Sequence, residues 1–172
     1  MRLSNEGLAE LEKLGKVKNV VRLGDMHGVD DIFYLDRYKA DFWALPNMTL
    51  QAGLKIDKKL EVGGVMPVKD SSLFIFETTN RPECILRLNR DGGIMIACDS
   101  LQNWVEPDEF FDEQTIDTMQ GMDFFKTANL GPAWMHVSEP QAEDFVRLKE
   151  IPFNHAFFGH GYPLLENAQE KF

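Results

Sequence analysis

Short apolar runs separated by polar turns dominate this chain, and their length and spacing predict a sheet of short strands. Such runs lie at residues 17–23, 42–45, 73–76, 84–88, 94–98 and 155–158. A helical pattern separates the first two runs, which predicts a strand–helix–strand unit and therefore a partly parallel sheet. Only turn signals separate the third, fourth and fifth runs, which predicts an antiparallel meander.

Helix signals lie mainly near the two ends of the chain. Ser4 precedes an apolar stripe of helical spacing, so it predicts the N-cap of a first helix. Ser138 and Gln141 have the spacing of a capping box, which predicts that a helix begins there. Pro163 follows the last strand and predicts a terminal helix that starts at that proline. Residues 100–130 are acidic and aromatic, and we expect short helices that cover the sheet.

Length and composition predict one globular domain over residues 1–172, because 44% hydrophobic residues supply ample core. No apolar stretch is long enough to span a bilayer, and the first residues lack the apolar region of a secretory signal. The chain has two cysteines, Cys84 and Cys98, which suits a cytoplasmic location with free thiols. Both lie in apolar runs, so we expect inert core residues rather than nucleophiles.

The net charge of −10 is distributed unevenly. Residues 1–98 contain 14 acidic and 14 basic side chains, whereas residues 99–172 contain 14 acidic and 4 basic ones. An acidic surface repels phosphate groups, so we expect neither nucleic acid nor an anionic membrane as a partner. The expected partner is instead a small-molecule substrate or ligand.

Polar residues follow three of the predicted strands at the point where each strand ends. Asp25 and His27 follow the first strand, Asp99 follows the fifth, and His160 follows the last. His160 lies between two glycines, which permit the backbone to approach a ligand closely. In open α/β folds such strand ends meet at one edge, where imidazole and carboxylate groups can chelate a divalent cation. Each residue alone also fits a structural role in its turn.

These positions resemble the ligand motifs of the metallo-β-lactamase fold family. The resemblance rests on three segments in the family's order, namely Gly24-Asp25-Met26-His27-Gly28-Val29-Asp30-Asp31, Ile96-Ala97-Cys98-Asp99-Ser100 and Phe158-Gly159-His160-Gly161. They look like the family's His-x-His-x-Asp-His loop, its strand that ends in a metal-bridging aspartate, and its final Gly-His-Gly. The resemblance covers nearly the whole chain. It implies an α/β fold of the α+β sandwich type, with mixed β-sheets flanked by helices.

The resemblance also implies a set of site residues. Those that match the family's metal-ligand positions are His27, Asp99, His160 and, in place of a histidine, Asp25. Asp30 and Asp31 lie one residue late for the family's Asp-His pair and are the candidate catalytic residues. A further family histidine corresponds to residues 78–82, where this chain has none. The resemblance therefore implies at most one divalent metal ion.

Two functions follow from this resemblance. In the first, the protein binds one Zn, Fe or Mn ion and hydrolyses a small ester, thioester or lactone, because a bound cation activates water and polarises a carbonyl. The aspartate at position 25 favours a harder cation than zinc, so iron and manganese have equal weight. In the alternative, the protein has lost the family's dinuclear metal site together with catalysis, and acts as a binding or scaffold protein.

The chain also begins at the first helix, whereas members of the family begin with a β-hairpin. The implied sheet is therefore N-terminally short and has an exposed edge, which a second copy of the chain in a homodimer would cover. An upstream extension that encodes two strands would show that this start is truncated.

Overall fold

The first helix begins where its cap predicts. In the computed structural model, which describes residues 2–172, the Ser4 hydroxyl accepts a 3.1 Å hydrogen bond from the Gly7 N–H. Helix α1, Asn5–Lys13, follows this cap and buries Leu8 on its inner face. The prediction of Ser4 as an N-cap is therefore confirmed.

Five further helices and nine strands follow in the described part of the chain. The helices are α2 Asp31–Tyr38, α3 Glu113–Gly121, α4 Pro132–Ser138, α5 Ala142–Lys149 and α6 Ala168–Lys171. The strands are β1 Asn19–Val21, β2 Asp41–Ala44, β3 Lys58–Lys59, β4 Ser71–Ile75, β5 Cys84–Leu88, β6 Ile94–Ile96, β7 Leu101–Trp104, β8 Lys126–Leu130 and β9 His155–Phe157.

The strands pair into three sheets, which together with the helices give an α+β protein. Strands β1, β2 and β3 are parallel, with Val20 opposite Phe42, so the predicted strand–helix–strand unit is confirmed. Strands β4, β5 and β6 form the predicted antiparallel meander, and β9 joins it in parallel with β6. Strands β7 and β8 pair antiparallel in the third sheet.

Three sequence predictions for the second half are wrong. Residues 100–130 contain β7 and β8 as well as a helix, because the backbone N–H and C=O groups of these two strands hydrogen-bond to each other. Ser138 is buried at the end of α4 instead of opening a helix, and α5 begins after Gln141 with no side-chain cap. Pro163 starts no helix, because the next residue, Leu164, exchanges backbone hydrogen bonds with Ala156 in β9.

Two hydrophobic clusters make the core. The larger one joins the β4–β5–β6–β9 sheet to α4 and α5, and Phe76 packs edge-on against Trp134 with ring centroids 4.8 Å apart. The smaller one surrounds Phe42 and Leu60 beside the β1–β2–β3 sheet. The longest helices in the described residues have nine residues, and none is long and apolar enough to cross a membrane.

A buried charge fastens α5 to the chain that follows β4. The Asp144 carboxylate is fully buried and accepts hydrogen bonds from the Glu77 N–H at 2.9 Å, the Thr78 N–H at 3.0 Å and the Thr78 hydroxyl at 2.6 Å. Arg147 also donates to it. Burial raises the pKa of Asp144, but the bonds from Thr78, Glu77 and Arg147 outweigh burial and hold the pKa below its ordinary value of 3.8.

We predict that Asp144→Asn lowers the free energy of unfolding at pH 7 by about 3 kcal/mol, because the buried carboxylate accepts four hydrogen bonds and the amide NH₂ group would face some of these donors. Since the folded-state pKa is depressed, the stabilisation by Asp144 is present above its ordinary pKa and is lost as the pH falls through the folded value. Urea denaturation measures both effects. Glu143→Gln, an exposed change on the same helix, is the control, and equal losses in the two variants would contradict this role.

Candidate metal centre

The loops that follow β1, β6 and β9 bring three predicted site residues together. His27 Nε2 lies 2.8 Å from Asp99 Oδ1, and His160 Nε2 lies 3.0 Å from the same oxygen. The two Nε2 atoms are 3.3 Å apart. We call these three residues the His–Asp–His cluster. Residues separated by up to 133 positions thus place three potential ligand atoms in mutual contact.

The cluster is buried on the carboxylate side and open on the imidazole side. The Asp99 side chain is 7% exposed, whereas those of His27 and His160 are 48% and 32% exposed. The hydrogen bond to Asp99 raises the pKa of His27, although burial of the ring opposes this. Burial also raises the pKa of Asp99, but the bonds to His160 and His27 outweigh it and leave the pKa below its ordinary value. The Asp99 carboxylate therefore favours the protonated form of His27.

The turn that carries His160 is pinned to β7. The Tyr162 N–H donates to the Asn103 carbonyl at 3.0 Å, and Gly161 adopts a φ of +81°. A Cβ at Gly161 would lie 2.1 Å from that carbonyl oxygen, so glycine is required here. The Trp104 ring lies parallel to the His160 imidazole, with centroids 5.4 Å apart. Backbone and aromatic contacts together fix the direction of the imidazole.

A second acid, Glu83, positions the Asp99 backbone. Glu83 Oε1 accepts hydrogen bonds from the N–H groups of Asp99 at 3.0 Å and Ser100 at 2.6 Å. The residue is 1% exposed, and its Oε2 has no hydrogen-bond partner in the described residues. Burial raises the pKa of Glu83 to about 8, with Asp99 contributing in the same direction and the bonds from Ser100 and Asp99 opposing it. Sequence reasoning missed Glu83, whose only signal is an acid at the start of an apolar run.

Cys98 also lies beside the cluster, which sequence reasoning missed. Strand β6 ends at Ile96, so Cys98 belongs to the loop and not to the apolar strand. Its Sγ lies 3.3 Å from Asp99 Oδ2. A ring nitrogen of His27, the sulfur and an Asp99 oxygen all lie within 4.8 Å of one another. Burial raises the pKa of the Cys98 thiol, and the charges of Asp99 and Glu83 add to this effect. The thiol is therefore no free nucleophile.

The structure does not support the predicted role of Asp25 as a metal ligand. Its carboxylate accepts hydrogen bonds from the Thr49 N–H, from the Thr49 hydroxyl at 3.2 Å and from Arg81 at 3.1 Å. The side chain is 1% exposed and is fully occupied by these donors. Asp25 therefore ties the His27 loop to two neighbouring loops.

Asp30 and Asp31, the predicted catalytic residues, also lie outside the cluster. Asp30 forms a 2.6 Å ion pair with Arg2. Asp31 opens α2 and lies 3.6 Å from the guanidinium of the buried Arg22. Asp30 thus has an arginine partner, whereas Asp31 Oδ2 is buried near Arg22 and has no hydrogen-bond partner among the described residues.

A scan against models of known protein families finds no match for the chain, and a search of curated proteins finds no similar sequence. The geometry of the cluster is therefore the basis for a functional conclusion.

We predict that Glu83→Gln removes a loss of stability that the parent shows as the pH rises towards about 8. Because the folded-state pKa of Glu83 lies above its ordinary 4.5, its stabilisation is complete below that value and is lost as the pH rises through about 8. Between pH 6 and 9 the unfolding free energy of the parent should fall by about 2.7 kcal/mol relative to the variant, whose Oε1 still accepts both backbone bonds.

Urea titrations of metal-free protein at several pH values measure this difference. Glu106→Gln, a change at an exposed acid, is the control and should follow the parent. A parallel pH dependence in the parent and Glu83→Gln would contradict the protonated state assigned to Glu83.

Proposed function

We propose that the His–Asp–His cluster binds one divalent metal ion and that the protein hydrolyses a small ester, thioester or lactone. We also propose that the three loops have the relative arrangement of the metallo-β-lactamase fold. The observation that carries the proposal is the mutual contact of His27 Nε2, Asp99 Oδ1 and His160 Nε2. The fold class, α+β with mixed sheets, is compatible with this arrangement.

The separations within the cluster match those of ligands around a small cation. Metal–nitrogen and metal–oxygen bonds of about 2.0–2.2 Å at tetrahedral angles place ligand atoms about 3.3–3.6 Å apart. The observed separations of 2.8, 3.0 and 3.3 Å are slightly shorter. Shifts of about half an ångström, well within side-chain freedom, would open the cluster to that spacing. The cluster therefore fits a metal by both size and donor type.

Hydrogen bonding alone explains the cluster less well. Two imidazoles that both donate to one carboxylate oxygen bring their N–H groups face to face at 3.3 Å. One cation would accept a lone pair from each neutral imidazole and from the carboxylate, and would remove this conflict. Metal binding then displaces the His27 proton, because a ligating nitrogen must be unprotonated.

The surrounding residues supply what a catalytic site needs besides ligands. A divalent ion bound here would lower the pKa of water towards neutrality and polarise an acyl carbonyl. The half-exposed imidazoles of His27 and His160 leave that face accessible to water and substrate. Glu83 holds the backbone of Asp99, and Trp104 holds the plane of His160, so the donors are oriented before a ligand arrives.

Asp30 and Asp31, the candidate catalytic carboxylates, both lie beside arginines, which favours a mononuclear site. Asp30 pairs with Arg2, and Asp31 lies against Arg22. The proposed chemistry therefore depends on one ion.

We predict about one equivalent of bound metal after the full chain is dialysed against Zn, Fe(II) and Mn under reducing conditions. His27→Ala and His160→Ala should each reduce the metal content to a small fraction, because each removes one of three clustered donors. Elemental analysis by mass spectrometry measures the metal content per chain. His136→Ala is the matched control, since His136 is exposed on α4. Equal metal content in His27→Ala and His136→Ala would contradict the site.

We predict that the metal-loaded protein hydrolyses at least one neutral ester, thioester or lactone in a substrate screen. Asp99→Asn keeps the shape of the side chain and should lower the rate by about a hundredfold or more, because the metal loses its anionic ligand. Asp123→Asn, at an exposed aspartate, should retain the parent rate. Metal bound without any turnover would refute hydrolysis while leaving the metal site intact.

A binding protein is the second candidate, and one observation favours it. An apolar cavity of about 530 Å³ lies between β8, α5 and α6 and is lined by Leu130, Phe145, Leu148 and Phe153, among others. Its volume is typical of small-molecule sites, and its lining includes none of the cluster residues. Loss of metal binding together with ligand binding in this cavity would support the alternative.

A further inference from the structure

Cys98 is a fourth potential donor beside the His–Asp–His cluster. Its Sγ contacts Asp99 Oδ2 at 3.3 Å, while the two imidazoles contact Oδ1. The sulfur lies within 4.8 Å of a ring nitrogen of His27. For a zinc ion with a 2.3 Å bond to sulfur, tetrahedral geometry places sulfur about 3.6 Å from the other ligand atoms. A shift of about 1 Å would therefore bring the sulfur to coordination distance from the His27 nitrogen.

The packing around the sulfur keeps it at the cluster. Gly24, in the loop that follows β1, lies against the Cys98 thiol. A Cβ at this position would lie 2.8 Å from Cys98 Sγ and 3.1 Å from Glu83 Oε2. Any side chain at position 24 would displace Cys98 or Glu83. The missing side chain at Gly24 thus leaves a space next to Asp99, and the Cys98 thiol fills it.

We infer that Cys98 Sγ is a ligand of the metal and that the site selects zinc over manganese and iron(II). This inference rests on the proposed metal site. Coordination replaces the S–H bond by a sulfur–metal bond and releases one proton to solvent. The donor set would then be two imidazoles, one carboxylate and one thiolate, and hydrolysis would need a further position for water, for which the exposed imidazole side is open.

The choice of zinc follows from which donors the structure supplies. Among the predicted ligands, Asp25 is the one that would favour a harder cation than zinc. Its carboxylate instead accepts hydrogen bonds from Thr49 and Arg81. With Asp25 absent from the site and a sulfur present, the donors become softer. Thiolate and imidazole together suit zinc, whereas manganese prefers oxygen ligands.

Cobalt(II) is the probe that tests this inference, because a thiolate ligand gives an intense sulfur-to-cobalt absorption in the near ultraviolet. We expect this absorption in the cobalt-loaded full chain and in the control variant Cys84→Ser. Cys84 is buried in the smaller hydrophobic cluster, around Phe42 and Leu60. Cys98→Ser should lose the absorption and bind zinc about tenfold more weakly or worse. Competition among equal concentrations of Zn, Mn and Fe(II) should yield mainly the zinc form of the parent.

Each outcome decides the inference. One equivalent of cobalt without the sulfur absorption, or an unchanged spectrum in Cys98→Ser, would overturn Cys98 as a ligand and leave the His–Asp–His site standing. Failure of the parent to bind any of these metals would overturn both proposals. X-ray absorption of the zinc-loaded parent needs no variant, and the absence of a sulfur neighbour at about 2.3 Å would also overturn it.

Discussion

The candidate site depends on how the Asp99 carboxylate is held. Glu83 fixes the backbone of Asp99 from inside the core through two N–H groups, and His27 and His160 contact its Oδ1 from the open side. Burying a carboxylate costs free energy, unless hydrogen bonds or an opposite charge replace the water that it loses. His27 and His160 supply that compensation through hydrogen bonds to Oδ1, and we propose that a bound cation takes over this role. Glu83, with a raised pKa, adds little negative charge at neutral pH.

The topology explains why three distant segments meet there. Strand β9 lies parallel to β6, so the loops after both strands leave the sheet at the same edge. The loop after β1 reaches this edge through Gly24, which pairs with Glu83 in an isolated bridge next to β5. Asp25 and Arg22 then tie that loop to its neighbours, with Asp25 bonded to Thr49 and Arg81. Buried polar contacts, and not the ligands themselves, hold the loops in place.

Sequence reasoning identified the strand ends better than the loops between them. Apolar runs and turn signals predicted the meander and the parallel pair, because burial dictates which positions are apolar. The glycines around His160 predicted a close approach to a ligand, whereas the structure shows Gly161 close to the Asn103 carbonyl. Residue type alone did not separate Asp25, bound to Thr49 and Arg81, from Asp99, which lies in the cluster. Spacing in sequence does not give the direction of a side chain, and long-range partners such as arginines decide it.

The roles of Glu83 and Cys98 could not be predicted from the sequence for a related reason. Each borders an apolar run, and each becomes part of the site only because β6 ends at Ile96 and the chain turns there. Such a boundary shifts by one or two residues without a clear sequence signal. The most direct test of the central claim is anomalous X-ray scattering at the zinc edge from crystals of the zinc-treated full chain. We predict one peak within about 2.0–2.2 Å of His27 Nε2, Asp99 Oδ1 and His160 Nε2, whereas no peak, or a peak elsewhere, would contradict the account.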